Sequence, residues 1–474
     1  MRLPGPVEGL ALGPRPGGLG RRDVRIVRRV RRMRWVRTAA ATLTLAVAAA
    51  GCGAGGDGGD SGGDGAKGGP KARFETGQAV ARADTPVRMR LTGLEPGSHV
   101  RVTAHADDRY DATWASKVTR TADAHGRIDL SKDTGHLLSG MLPLGGRHAK
   151  LKDSGTAFSY HPGPPGSQRS YKVKVTATAV SGKADGQHLA DRTLTRQWLT
   201  KGTTHRKLTV AKNKIAGDLY LPARDARNDA AKGGVRKEDG TEEREGKGGG
   251  AARKAPVLVF GGSEGGNAGT YTAALLASHG HPAMSVCYFR CGSGSGRPNA
   301  INKIDLDYFT HAGRVLRAQD GADPQRLAVI GNSRGSEVAQ LLGQRRPSVF
   351  RDVVAYAPSS KAIGPYPAGT VAWTDHGRPI PRGPIPLDRV RGTVLAVAGG
   401  NDKMWGSVAS AHTMAKNRGV EKLVYPDAGH HVNWFPFAQP GQEGGANGDV
   451  TTTSRADQAA RADSWPKILK LLDG

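Results

Sequence analysis

The stretch from Leu327 to Leu342 constrains the chain more than any other part of it. An apolar run of strand length, Leu327-Ala-Val-Ile330, leads into Gly331-Asn-Ser-Arg-Gly335, which opens into Ser336-Glu-Val-Ala-Gln-Leu-Leu342, a pattern that reads as a helix. A strand, a tight Gly-x-Ser-x-Gly turn and a helix form the context in which the serine sits strained at the tip of a nucleophile elbow. Glycines flank Ser333 because the turn is too sharp for side chains. The five-residue pattern alone is weak in a chain with 68 glycines among 474 residues. An ordinary strand-to-helix turn is the competing reading, and the flanking elements argue against it.

A serine hydroxyl is a poor nucleophile until a histidine takes its proton and an acid fixes that histidine's tautomer. Behind such an elbow the acid and then the histidine follow the serine, each past a later strand. Val394-Leu-Ala-Val-Ala398 is a buried-strand run ending in Gly399-Gly-Asn-Asp402-Lys-Met-Trp405. Lys422-Leu-Val-Tyr425 comes next and leads into Pro426-Asp-Ala-Gly-His430-His431-Val432. The order nominates Asp402 and His430. Asp427 competes for the acid and His431 for the base, because position after a strand does not separate adjacent histidines. An oxyanion hole needs two donors. The N–H of Arg334, directly after the serine, is one. The loop Gly261-Gly-Ser-Glu-Gly-Gly266, after the strand run Val257-Leu-Val-Phe260, supplies the other, and Ser263 is the expected residue.

These residues carry a resemblance. From about Arg73 onward the chain resembles the acyl-CoA thioesterase and bile acid-CoA:amino acid N-acyltransferase family. Gly261-Gly-Ser-Glu-Gly-Gly266 is similar to that family's glycine-rich oxyanion loop, and Tyr288-Phe289, Pro298, Leu306-Asp-Tyr-Phe309 and Ala312 follow its spacing. Gly331-Asn-Ser-Arg-Gly-Ser-Glu337 resembles its nucleophile motif, where a basic residue follows the serine or cysteine. Asn401-Asp402 with Trp405 resembles its acid pair and tryptophan, and Gly429-His430 its base. The resemblance implies acyl-CoA thioester hydrolysis, and a serine nucleophile implies hydrolysis where cysteine implies amide-forming transfer. The chain departs from the family pattern at Asn401, which stands in place of an aspartate, and after His430, where the double proline is missing.

The front half reads as an antiparallel β domain. Asp84 to Gly97 alternates into a Pro-Gly turn, His99-Val-Arg-Val-Thr-Ala104 continues it, and Tyr171-Lys-Val-Lys-Val-Thr-Ala-Thr178 alternates over eight residues. Short strands with turns every 8–12 residues point to an immunoglobulin-like β-sandwich. Trp114-Ala-Ser116 and Gly126-Arg-Ile-Asp-Leu130 resemble the family's N-terminal motifs. A generic β domain fits the pattern alone equally well.

Ahead of this lies an export signal. Residues 1–51 hold eleven arginines against two acids, and Arg29 to Arg37 is followed by apolar Thr38 to Ala50. A charged region, a short apolar core and small residues are the order of a secretory signal, too short for a comfortable membrane span. Ala49-Ala-Gly-Cys52 resembles a bacterial lipobox, which makes Cys52 the expected lipidation site and the chain a membrane-anchored lipoprotein. Cleavage nearby with an unmodified cysteine is the alternative, and Met33 would be a more conventional start. Gly53 to Gly69, nearly all Gly, Asp and Ser, reads as a flexible tether. Ala223 to Lys254, dense in both charges, reads as a disordered insert.

The only other cysteines are Cys287 and Cys291. An oxidising compartment would join them in a disulfide, and two buried thiols is the alternative. Zinc would need four ligands, so no metal site is expected, and no cofactor is implied. A net charge of +27 invites a nucleic-acid reading, but the basic residues are mixed with acids and aromatics are sparse. An anionic substrate such as a CoA ester, an anionic lipid headgroup, or no partner at all accounts for it instead.

The expected fold is α/β: an N-terminal immunoglobulin-like β-sandwich (72–222) and a C-terminal α/β-hydrolase (255–474), behind a signal (1–52) and tether (53–71) and joined by the charged insert (223–254). Lys361 to Arg389, rich in Pro and Gly, is placed at the acyl pocket. Ser333, Asp402 and His430 would hydrolyse an acyl thioester through an acyl-enzyme. CoA esters are cytoplasmic, however, whereas the signal directs export. An exported carboxylesterase, lipid esterase or acyltransferase with the same triad is the first alternative. A catalytically silent, anchored acyl-binding module is the second.

Overall fold

The computed structural model describes residues 71–109, 112–144, 163–180, 185–223, 253–437 and 452–474. The expected export signal, Cys52, the expected tether up to residue 70 and nearly all of the charged insert lie outside the described residues.

Period-two patterning builds the front domain. In strand His99–Asp107, Val100, Val102, Ala104 and Ala106 are buried while their neighbours are half-buried or exposed. Strand Ser170–Ala179 buries Tyr171, Val173, Val175 and Ala177 in the same way. The two pair antiparallel, with Val102 opposite Ala177, inside a six-stranded sheet. A second sheet joins Arg73–Thr76, Met89–Thr92 and Ile128–Asp129. Phe74, Leu91 and Ile128 from it share one core with the inward residues of the first. The alternation from Asp84 to Gly97 yields strand only over Met89–Thr92. Pro86 has no N–H to give a ladder, and Gly93, at φ 76°, turns the chain out of it.

The C-terminal half is built on an eight-stranded sheet. Its spatial order is Thr204–Leu208, Gly217–Leu221, Ala283–Val286, Val257–Phe260, Ala328–Asn332, Asp352–Tyr356, Val394–Gly399, Val420–Tyr425. The last six run parallel; Gly217–Leu221 adds antiparallel to them, and Thr204–Leu208 pairs antiparallel with Gly217–Leu221. Strands covered on both faces need continuous apolar runs, and Val257–Phe260, Ala328–Asn332 and Val394–Gly399 are buried throughout. The hairpin of residues 204–221 corrects the sequence-based boundary. It falls within the range expected for the front domain (72–222) yet extends the eight-stranded sheet, because a strand's own periodicity does not say which sheet it will join.

A buried carboxylate bridges the two halves, beside an apolar core that they share. Asp84 of the front domain accepts a hydrogen bond from Trp465 Nε1 (2.8 Å) in helix Thr452–Asp473. It also lies 2.5 Å from Nε2 of His279, the cap of helix Thr270–Ser278.

Candidate active site

Strand Ala328–Asn332 ends at Ser333, and helix Arg334–Arg345 begins one residue later. Ser333 has φ 54° and ψ −119°, a region that a residue with a side chain adopts only when its surroundings force it. The Ser333 N–H donates to the Tyr356 carbonyl (3.0 Å) on the next strand, and the Ser333 carbonyl accepts from Ser336 (2.9 Å). A Cβ on Gly331 would stand 2.2 Å from the Gly335 carbonyl oxygen, and one on Gly335 2.3 Å from that of Gly261. Both glycines are therefore required by close backbone approach. The same contact seats the elbow against the glycine-rich loop that starts at Gly261.

Asp402 and His430 come together as their order implied. Asp402 Oδ2 lies 2.8 Å from His430 Nδ1 and accepts from Ser407 Oγ at 2.5 Å, while its Oδ1 accepts the Met404 N–H at 2.8 Å. Burial alone would raise the Asp402 carboxyl; the hydrogen bonds from His430 and Ser407 outweigh it and hold the group below its ordinary value. His430 is 7 % exposed, whereas His431 and Asp427 are open to solvent. The Trp405 ring meets the His430 ring edge-on at 5.6 Å, and its Nε1 donates to the Ala357 carbonyl (3.0 Å). From the last helix, Asp457 accepts the Gly429 N–H at 2.5 Å and fixes the approach to His430.

The loop after strand Val257–Phe260 reaches both ends of this constellation. A Cβ on Gly262 would stand 2.7 Å from Ser333 Cβ. Among the described residues, the N–H groups of Ser263 and Arg334 have no acceptor. Tyr288 O–H donates to the carbonyls of Gly261 and Gly262, each at 3.1 Å. Glu264 is the residue that the sequence reading passed over. Both of its carboxylate oxygens accept the Gly262 N–H at 2.9 Å. Burial raises its carboxyl above the ordinary value, against the pull of the Gly262 N–H and the nearby His430. The available signal was a lone acid between two glycine pairs in an otherwise neutral loop.

Behind Ser333, Arg334 and Glu337 form a buried ion pair at 3.1 Å. Glu337 Oε2 accepts from Trp373 Nε1 (2.9 Å) and from the Ile363 N–H (3.1 Å), and Arg334 donates to the Gly364 carbonyl at 2.6 Å. These bonds tie the segment of residues 361–389 across the first turns of the elbow helix. Cys287 and Cys291 are joined in a disulfide with Cα atoms 5.8 Å apart.

Two family models match the chain. "Acyl-CoA thioester hydrolase/BAAT N-terminal region" covers residues 84–210, and "BAAT / Acyl-CoA thioester hydrolase C terminal" covers 374–473. The second region contains Asp402 and His430; Ser333 lies between the two. The chain is 22 % identical over 430 residues to mouse acyl-coenzyme A thioesterase 2, mitochondrial, covering 81 % of this chain and 85 % of that one. It is 24 % identical over 445 residues to mouse acyl-coenzyme A amino acid N-acyltransferase 2, covering 82 % and 94 %. Both models and these relatives show the likeness of this chain to the acyl-CoA thioesterase and bile acid-CoA:amino acid N-acyltransferase family. A solved α/β-hydrolase from a deep-sea metagenome library superposes with a TM-score of 0.37 at 14 % identity, over 58 % of this chain and all of that one. Members of the family include both hydrolases and acyl transferases by name, so the site has to decide between them.

Proposed function

We propose that this protein hydrolyses acyl thioesters of the acyl-CoA type through an acyl-enzyme on Ser333. The observation that carries the reading is the 2.8 Å contact of Asp402 with His430 Nδ1. It occurs at the carboxyl end of the sheet whose elbow holds Ser333. In this scheme His430 Nε2 takes the Ser333 proton as Oγ attacks the thioester carbonyl. The N–H groups of Arg334 and Ser263 receive the developing oxyanion. Collapse breaks the C–S bond, and the thiolate leaves with the proton from the imidazolium. Water, deprotonated by His430, then attacks the acyl-serine; the acid departs and Ser333 recovers its proton. A serine ester is readily hydrolysed, which favours water over an amine acceptor.

A second reading keeps the triad and moves the substrate outside the cytoplasmic membrane. The Cys287–Cys291 disulfide favours it, since disulfides persist in oxidising compartments. There an oxygen ester or a thioester other than acyl-CoA would be cleaved by a protein anchored through Cys52. Fractionation tests the anchor: Cys52→Ala should release the protein from membranes, and unchanged partitioning would rule lipidation out.

Free-thiol release from a panel of acyl-CoA chain lengths, beside hydrolysis of simple oxygen esters, separates the readings. Turnover of acyl-CoA that falls by roughly 10⁴-fold or more in Ser333→Ala supports the thioesterase. Serine-dependent cleavage of oxygen esters alone would support the second reading. Turnover of neither would leave an acyl-binding module.

A further inference from the structure

Past the end of strand Ala283–Val286 the chain runs Arg290-Cys291-Gly292-Ser-Gly-Ser-Gly296-Arg297. The backbone alternates in sign along it: φ is 50° at Arg290, 88° at Gly292, 74° at Gly294 and 68° at Gly296, with ordinary values between. A Cβ on Gly292 or Gly294 would meet nothing within 4 Å. Lack of space is therefore not what these glycines answer; the left-handed conformation is. Alternation of this kind turns successive N–H groups toward one concave side, the arrangement that binds phosphate oxygens. Among the described residues the amides of Gly292, Ser293, Gly294 and Gly296 have no acceptor. An open cavity of about 480 Å³ lies along this turn.

Two guanidiniums flank the cavity without a carboxylate partner among the described residues. Arg290 rests beside the rings of Phe289 and Tyr366, 5.7 Å from each centroid, and its Nε donates to the Asn299 carbonyl. Arg297 lies over the Tyr308 ring at 3.8 Å and donates to the Tyr288 carbonyl at 3.3 Å. Its burial without an anion depresses the guanidinium below its ordinary value, which a bound anion would relieve. The turn is held in place from both ends. The disulfide stands directly before Gly292, and the Arg290 N–H donates to the Pro298 carbonyl at 2.8 Å.

The turn also abuts the reaction centre. The Gly266 N–H donates to the Phe289 carbonyl at 3.1 Å. A Cβ on Gly265 would stand 2.8 Å from Arg290 Cβ. Gly265 and Gly266 continue the loop whose Gly262 packs on Ser333. We propose that Gly292–Gly296, with Arg290 and Arg297 at its ends, is a phosphate cradle that holds the phosphorylated leaving-group end of the substrate. As a substrate subsite it rests on the thioesterase reading; as an anion site it does not. Phosphate of the same chemistry is also offered by an anionic lipid headgroup.

The test compares the full chain with Arg290→Gln and with Ser293→Asp, which sets a carboxylate in the turn at an exposed position. Each variant should raise KM for acyl-CoA by about 10-fold with kcat nearly unchanged. S-acyl-pantetheine, which lacks the phosphates, should be turned over as before. An equal change for both substrates, or none for acyl-CoA, would overturn the assignment. Calorimetric titration with pyrophosphate needs no turnover and separates the two ideas. Saturable binding lost in Ser293→Asp keeps the cradle even if no thioester is cleaved, whereas no binding at millimolar pyrophosphate sinks it. Phosphatidylglycerol vesicles that retain the wild type but not the variants, with acyl-CoA kinetics unmoved, would give the turn to a lipid surface and overturn the substrate role.

Discussion

A carboxylate inside the proposed oxyanion loop is an awkward neighbour for a reaction that develops negative charge. Glu264 lies there as an exposed residue whose carboxylate is partly covered, with both oxygens on the Gly262 N–H. That contact fixes the peptide leading into Ser263, and we assign Glu264 a positioning role. Glu264→Ala should lower kcat by about 10²-fold, the scale of a misplaced oxyanion donor, while Glu264→Gln, which still accepts the Gly262 N–H, should lose much less. Stability should move the other way. A carboxyl raised by burial holds its proton more tightly in the folded state, so rising pH removes stability between the unfolded and folded values. Glu264→Gln escapes this, and its stability advantage in urea titrations should grow as pH rises from the ordinary glutamate range. Equal activity in all three proteins would end the positioning role. At this scale the sequence was eloquent about Ser333 and Asp402, whose places follow from chain order. Chain order alone was silent on His430 against His431, which the resemblance at Gly429-His430, burial and the contact with Asp402 distinguish. Glu264 stood in plain view and carried no reading, because its partner is a backbone amide two residues away.

The elbow helix is buried along almost its whole length, Arg334 and Glu337 included. Its polar side chains must therefore find partners inside the protein. Glu337 meets this need for three groups at once: Arg334, Trp373 and the Ile363 N–H. Burial pushes its carboxyl up, to about 7, with those three opposing. Glu337→Ala would strand the Arg334 cation and two donors, and should cost about 3–5 kcal/mol in denaturant unfolding. Glu337→Gln keeps an acceptor for Trp373 and Ile363 and should cost less. If both variants unfold at the wild-type midpoint, the ion pair does not brace the elbow. The helix was legible in its 3.6-residue pattern. The covering segment was legible only as a Pro/Gly-rich stretch, because its strands Lys361–Ala362, Trp373–Asp375, Arg378–Pro379 and Gly383–Pro384 are too short to show a period. Strands 204–208 and 217–221 lay inside the range expected for the front domain and carried no reading as members of the eight-stranded sheet.

At the scale of the molecule, the division into a β domain and an α/β domain follows from alternation in front, continuous apolar runs behind and a charged insert between. What joins them does not follow, since Asp84 finds His279 and Trp465 at separations of 195 and 381 residues. No local pattern spans such distances. Burial would raise the Asp84 carboxyl, but the hydrogen bond and charge of His279, with Trp465 and Arg82, outweigh it and hold the group below its ordinary value. A depressed carboxyl adds stability above its unfolded value, and that stability is lost as pH falls through the folded one. Asp84→Asn should therefore lower unfolding stability at neutral pH by about 3 kcal/mol, the scale of breaking a buried pair. The deficit should shrink as acid protonates Asp84 in the wild type. Because Asp84 bridges the halves, the wild type should melt in one transition by both tryptophan fluorescence and calorimetry. In Asp84→Asn the front sheets and the catalytic sheet should separate into two. An unaltered midpoint with a single transition would mean that the apolar core shared by the two halves, and not this carboxylate, makes them unfold as one.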